Sequence, residues 1–176
     1  SVLLDYSDLR SKVILPNGAH LKKASKALRA ATDLQPTNID AWLSYGQVCN
    51  VLGESNAAHT AARQVLHIDE SNVEALVALA SHQFQVGAYR ETLGLLRDFT
   101  ERFPEKKCDW RVCLLQLSAL KELNDDEVLQ VESTKCLTAV ESCDEKTFLQ
   151  AYSHFLQGEK SKAEDSLLEL FSGGVE

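Results

Sequence analysis

The chain has 176 residues, 44% hydrophobic and 25% charged, enough apolar material to fill a core and not the composition of a disordered segment. Its 26 acidic and 18 basic side chains leave a net charge of -8, which repels phosphate backbones and argues against nucleic acid as the principal partner. No apolar run approaches the roughly 18 residues of a membrane span and no signal-like segment precedes the helical patterns, so a soluble cytoplasmic or nuclear protein without direct membrane insertion is expected.

Val2, Leu3, Leu4, Leu9 and Val13 form a loose helical stripe that ends at Pro16-Asn17-Gly18, because proline cannot continue the ladder and Asn-Gly favours a turn. A helix is predicted from about Ala19 to Leu34, with Leu21, Ala24, Leu28 and Ala31 on one face, and it stops at Pro36. Thr37-Asn38-Ile39-Asp40 sets a hydroxyl and a carboxylate three residues apart, as does Ser71-Asn72-Val73-Glu74, and each reads as a capping box at a helix start. The first of these helices carries Trp42, Tyr45, Gly46 and Cys49, breaks at Gly53 and is answered by an antiparallel helix from Ala57 to Ile68. The second carries Leu76, Leu79, Ala80 and Gln83, breaks at Gly87 and continues through Thr92, Leu96 and Phe99 to Pro104. Gly46 and Ala80 share an offset at which a small side chain lets the two helices of a hairpin approach closely. A further helix from Asp109 to about Leu123 carries Trp110, Cys113, Leu114 and Leu117, and Asn124-Asp125-Asp126 is the turn and cap before another that runs to about Val140. Gly158, Ala163, Leu167 and Leu170 then match Gly87, Thr92, Leu96 and Phe99 at an offset of 71, so three residues have been added, most simply in a loop around Ser142 to Glu145.

One period organises these elements. Trp42 and Trp110 lie 68 apart, twice 34; Gly53 and Gly87 lie 34 apart, as do Pro36, Glu70 and Pro104 in succession. Ala24, Ala58 and Thr92 keep the same spacing, as do Leu28, Ala62 and Leu96, and Ala31, Val65 and Phe99. A unit of this length is one helix-turn-helix that cannot bury its apolar face alone and must stack on copies of itself. An all-α solenoid of antiparallel hairpins is therefore expected, with nine or ten helices in about 4.5 to 5 repeats of a single domain. Its boundaries are a degenerate repeat at 1–38, repeats at 39–72 and 73–106, a divergent one at 107–143 and a terminal one at 144–176. The turns near Gly53, Gly87, Asn124 and Gly158 should adopt the left-handed backbone that these residues tolerate. Trp42, Leu79, Leu96 and Phe99 should be buried between units.

These residues resemble the tetratricopeptide repeat family. Its pattern of an early aromatic, a small residue four later, a glycine turn and a closing proline is carried by Ala41-Trp42, Gly46, Gly53, Ala58, Val65 and Asp69 in one unit. Leu76, Ala80, Gly87-Ala88-Tyr89, Leu96 and Pro104 carry it in the next, so the match covers about residues 19 to 106 and the remainder by register. The resemblance implies a right-handed superhelix whose first helices line a concave groove for a peptide or partner helix. The groove positions are then Asp40, Leu43, Ser44, Gln47 and Asn50 in one unit and Glu74, Val77, Ala78, Ser81, Phe84 and Gln85 in the next, with Arg111 at the matching place in the third. Asp40 and Glu74 would select a basic flank on an otherwise apolar protein segment. Phe84 follows Gln83 as Phe155 follows His154, and Phe148, Leu149 and Tyr152 share a face with Phe155; these aromatics either enter the core or form an apolar strip for a partner.

Nothing in the sequence reads as an active site, since there is no phosphate-cradling loop, no G-x-S-x-G elbow and no H-E-x-x-H helix. His20, His59, His67, His82 and His154 are scattered, and no cofactor or metal is expected. Cys108 and Cys113 are five apart and Cys136 and Cys143 seven apart, outside the knuckle spacing of structural zinc, so these and Cys49 read as reduced thiols. The absence of Met, position 1 included, points to a start inside a longer chain or after a removed tag. A non-catalytic scaffold or adaptor in a multiprotein complex is the expected function. One alternative is a co-chaperone that captures the acidic C-termini of heat-shock chaperones, but the family's carboxylate clamp uses lysine, asparagine and arginine where this chain has Leu43, Gln47, Ala78 and Arg111, and Arg111 alone would serve. Another is a helical-repeat subunit of an enzyme, which would need convergent titratable groups.

Overall fold

In a computed structural model the residues described are 18–106, 109–140 and 143–172; the stripe at 2–13, Cys108 and Ser142 lie outside them. Among the described residues there are nine α-helices and no strand: α1 (Gly18–Leu34), α2 (Ile39–Leu52), α3 (Ser55–Ile68), α4 (Val73–Gln85), α5 (Tyr89–Arg102), α6 (Trp110–Glu122), α7 (Asp126–Ala139), α8 (Cys143–Leu156) and α9 (Lys160–Ser172). A 3-10 turn at Pro104–Lys106 joins α5 to α6.

Local chemistry sets the helix ends. The Asn38 side chain accepts from the Ala41 amide at 3.0 Å and Asn72 from the Ala75 amide at 3.0 Å. Asp109 does the same for Arg111 at 2.9 Å. The expected capping boxes on Thr37 and Ser71 are therefore corrected by one residue. The cap must sit in extended backbone with its oxygen facing the first free amides, and Asn38 (φ -80°, ψ 100°) and Asn72 (φ -73°, ψ 104°) do so. At the opposite ends, Gly53, Gly87 and Gly158 have φ of 77°, 82° and 81° and Asn124 has φ of 55°, so all four expected turns are left-handed.

These fixed points relocate the insertion. Asn38 to Asn72 is 34 residues but Asn72 to Asp109 is 37; likewise Gly53 to Gly87 is 34, Gly87 to Asn124 is 37 and Asn124 to Gly158 is 34. The three extra residues lie at the 3-10 turn between α5 and α6, not around Ser142 to Glu145. It follows that Trp42 and Trp110 are not equivalent, for Trp42 is the fourth residue of α2 and Trp110 the first of α6.

The chain divides after Glu70 into two compact units. In the first, α2 packs on α1 and on α3. Its core joins Tyr45, Cys49, Ala58 and Ala61, with Leu28 and Trp42 against them. A Cβ on Gly46 would lie 3.4 Å from the Ala61 Cβ, which shows how closely α2 and α3 approach. Trp42 is half-buried rather than buried, because its Nε1 donates to the Pro36 carbonyl at 2.8 Å and keeps the ring at an exposed edge.

In the second unit consecutive helices pack as antiparallel pairs, and α6 also lies beside both α4 and α8. Surrounded on four sides, α6 supplies Leu117, Ala119 and Leu120 to a cluster completed by Leu93 and Leu129, while Cys113 joins Cys136, Val140 and Leu149 in another. Leu79, Leu96 and Phe99 are buried as expected. Full burial of each leucine stabilises by about 1.5–3 kcal/mol relative to exposure. Cys49, Cys113 and Cys136 are buried and carry no disulfide.

Candidate functional site: the face of the first helices

The helical spacing of Asp40, Leu43, Ser44, Gln47 and Asn50 runs them along one side of α2, with Asp40, Gln47 and Asn50 exposed and Leu43 and Ser44 half-buried. In the second unit the side-by-side packing of α4, α6 and α8 turns single positions into rows. With the 37-residue step applied, Glu74, Arg111 and Glu145 form one row, Val77, Leu114 and Phe148 the next, and Ser81, Ser118 and Tyr152 a third. Of the residues expected from sequence, Glu74, Val77, Ser81 and Arg111 fall in these rows. Ala78 is half-buried and Gln85 exposed on the same helix. Glu145, Leu114 and Ser118 were missed; the spacing of the cap residues was the signal that finds them.

Two expectations about side chains change. A constant step of 34 would set Arg111 level with Leu43 and Val77; on the count kept by the caps it takes the place of Asp40 and Glu74. Phe84 turns inward, half-buried against the Leu117 and Leu120 cluster with its ring centroid 5.1 Å from that of Tyr89. Leu149 also belongs to the core, whereas Phe148 is 36% exposed and Phe155 is 61% exposed.

The acidic row is built around an ion pair. Arg111 donates from Nε at 3.1 Å and from Nη2 at 2.8 Å to the two oxygens of Asp109. That pairing, aided by the fields of Glu74 and Glu145, raises the Arg111 pKa. For Asp109 burial is the largest single influence and acts upward, but the hydrogen bonds from the Arg111 side chain and the backbone together outweigh it and hold the carboxyl below its ordinary value. With Asp109 counted beside the row, three carboxylates (Glu74, Asp109, Glu145) against one guanidinium leave the group of four at a formal -2.

Beside it runs an aromatic strip. Trp110 meets Phe148 edge-on at 5.8 Å and Phe148 stacks with Tyr152 at 6.5 Å. Ser118 Oγ donates to the Leu114 carbonyl at 2.6 Å, so the Tyr152 hydroxyl, 2.7 Å away, donates to Ser118. The strip is thereby pinned by a hydrogen bond between residues 34 apart, with Phe148 its most exposed ring. Among the described residues no group of three or more His, Cys, Asp or Glu side chains could hold a metal ion, and no helix is long and apolar enough to cross a membrane.

No protein-family model matches the chain. A peroxisomal targeting signal receptor of Saccharomyces cerevisiae is 30% identical over 94 residues, which are 53% of this chain and 15% of the receptor. The chain spans under a fifth of the length of such relatives. Among solved structures, a thermophilic tetratricopeptide protein of Thermus thermophilus superposes with a TM-score of 0.67 at 14% identity, covering 89% of this chain and 84% of that one. A tetratricopeptide repeat protein of Parabacteroides merdae gives 0.65 at 18% identity over 89% of this chain and 60% of its own. The fold is thus an α-solenoid of the tetratricopeptide type.

Proposed function

We propose that this chain is a non-catalytic interaction module, a scaffold or adaptor within a larger assembly, whose first-helix faces hold an apolar protein segment with a basic flank. The carrying observation is the acidic row Glu74, Arg111 and Glu145 beside the half-exposed ring of Phe148. Magnitudes divide the labour: fully burying an exposed aromatic is worth about 1.5–3 kcal/mol, of which covering the exposed part of Phe148 recovers a share, and Trp110 and Tyr152 beside it add theirs, whereas each exposed ion pair adds only about 0.2–1 kcal/mol. The rings would thus give affinity and the carboxylates direction. On α2, Asp40, Leu43, Ser44, Gln47 and Asn50 offer the same mixture, and on α4 Ala78 and Gln85 flank the apolar row. Reception of a targeting signal, which the names of the relatives in Saccharomyces cerevisiae and Kluyveromyces lactis describe, falls in the same class. An acidic chaperone tail fits poorly, because the single guanidinium in the row is already held by Asp109 between two further carboxylates.

Fluorescence polarisation tests this with two labelled peptides, an amphipathic one rich in Leu and Lys and one ending in several acidic residues. The basic peptide should bind, more weakly as salt rises because exposed charges are screened within about 8–10 Å, and Phe148→Asp or Glu145→Lys should weaken it with the helical circular dichroism intact. Preference for the acidic peptide, or binding indifferent to both substitutions, would reject the reading.

A further inference from the structure

Helices α5 and α7 flank α6 and leave a cleft of about 220 Å³ that the interaction face does not use. Arg97 and Glu101 reach it from α5, Cys113 and Gln116 from α6, and Glu132 and Cys136 from α7. We infer that Cys113 and Cys136 are a modification site, a dithiol that a peroxide converts to a disulfide tying α6 to α7. The register of the hairpin carries this. Gln116 Nε2 donates to Glu132 Oε2 at 3.0 Å across the antiparallel pair. Cys113 lies one turn before Gln116 and Cys136 one turn after Glu132, so the two thiols stand at the same level of facing helices. Both belong to one packed cluster with Val140 and Leu149, both line the same cleft, and neither is in a disulfide. A disulfide between them requires Cβ atoms about 3.5–4.5 Å apart, which facing positions at one level of a helix pair can reach. Cys49 provides the contrast, for its cluster in the other unit holds no second cysteine among the described residues.

The chemistry closes with hydrogen peroxide as the named oxidant. One thiolate attacks a peroxide oxygen; an S–O bond forms, the O–O bond breaks, and the departing hydroxide takes up the thiol's proton as water. The second sulfur attacks the sulfenic sulfur, the S–S bond forms, the S–O bond breaks and a second water leaves. Two thiols lose two electrons and two protons, and the peroxide gains them.

The folded protein, reduced and freed of reductant, is exposed to stoichiometric hydrogen peroxide, denatured, alkylated and digested without reductant. A linked peptide pair carrying Cys113 and Cys136, two hydrogens lighter than the separate peptides and released by dithiothreitol, is expected, with Cys49 still alkylated. Alkylation of both residues, their oxidation to unlinked acids, or links made only to Cys108 or Cys143 would overturn the assignment. Because the wild-type chain is mapped directly, no substituted protein has to fold for the result to decide.

Discussion

The two compact units solve one packing problem with different side chains. In the first, Gly46, Ala58 and Ala61 bring the backbones of α2 and α3 together, and Tyr45 and Cys49 fill what remains. In the second, Leu93, Leu96, Leu117, Leu120 and Leu129 hold the helices together through long branched side chains. Stability in the first unit therefore depends on how near the backbones can come, and in the second on how much hydrocarbon fills the gap.

Truncation should separate the two. Leu120→Ala or Leu96→Ala removes a fully buried side chain enclosed by several helices, and should cost about 3–5 kcal/mol by urea denaturation. Trp42→Ala in the first unit removes a larger but half-buried ring and should cost less, about 2 kcal/mol. A greater loss at Trp42 than at Leu120 would break the comparison. Backbone effects come next, for Gly87→Ala meets no neighbour within 4 Å yet forces a side chain into left-handed backbone, at about 1 kcal/mol. At Gly46 the sign reverses: its backbone is helical and an added methyl comes only to van der Waals contact with Ala61. Gly46→Ala should leave stability within about 0.5–1 kcal/mol of wild type, on the stabilising side. Gly46→Leu, which cannot fit between α2 and α3, should be strongly destabilising.

A pH titration sharpens the account of the second unit. Because the folded-state pKa of Asp109 is depressed, its contribution is fully present above the ordinary carboxylate range and is lost as pH falls through the lower, folded value. Asp109→Asn should flatten that part of the curve, and an unchanged acid limb would show that the Arg111 pair contributes nothing to stability.

The hairpin turns were legible in the sequence because Gly and Asn answer to a single backbone demand, the left-handed turn. The site of the insertion was not legible, because tryptophan can serve at several positions of a helix and Trp110 falls by coincidence 68 residues after Trp42. Asn38, Asn72 and Asp109 keep the true count, since a cap is held to its place by specific amides. Once that count is used, Glu74 leads to Arg111 and Val77 to Leu114 by a step of 37, and the step of 34 carries them on to Glu145 and Phe148, so that half of the candidate face can be read without coordinates. The inward turn of Phe84 could not be read, for it depends on room left between Tyr89 and the Leu117 cluster. Periodicity alone cannot tell that from a ring facing outward.

The four-sided enclosure of α6 has a consequence for motion. Packed by four neighbours, its buried residues should exchange mainly when α4, α5, α7 or α8 moves away, so hydrogen exchange along Val112 to Leu120 should be the slowest in its unit and should report global rather than local opening. Helix α9, packed chiefly on α8, should exchange by fraying much sooner. A denaturant series of exchange rates would then show α6 and its neighbours merging into one cooperative isotherm while α9 leaves it early.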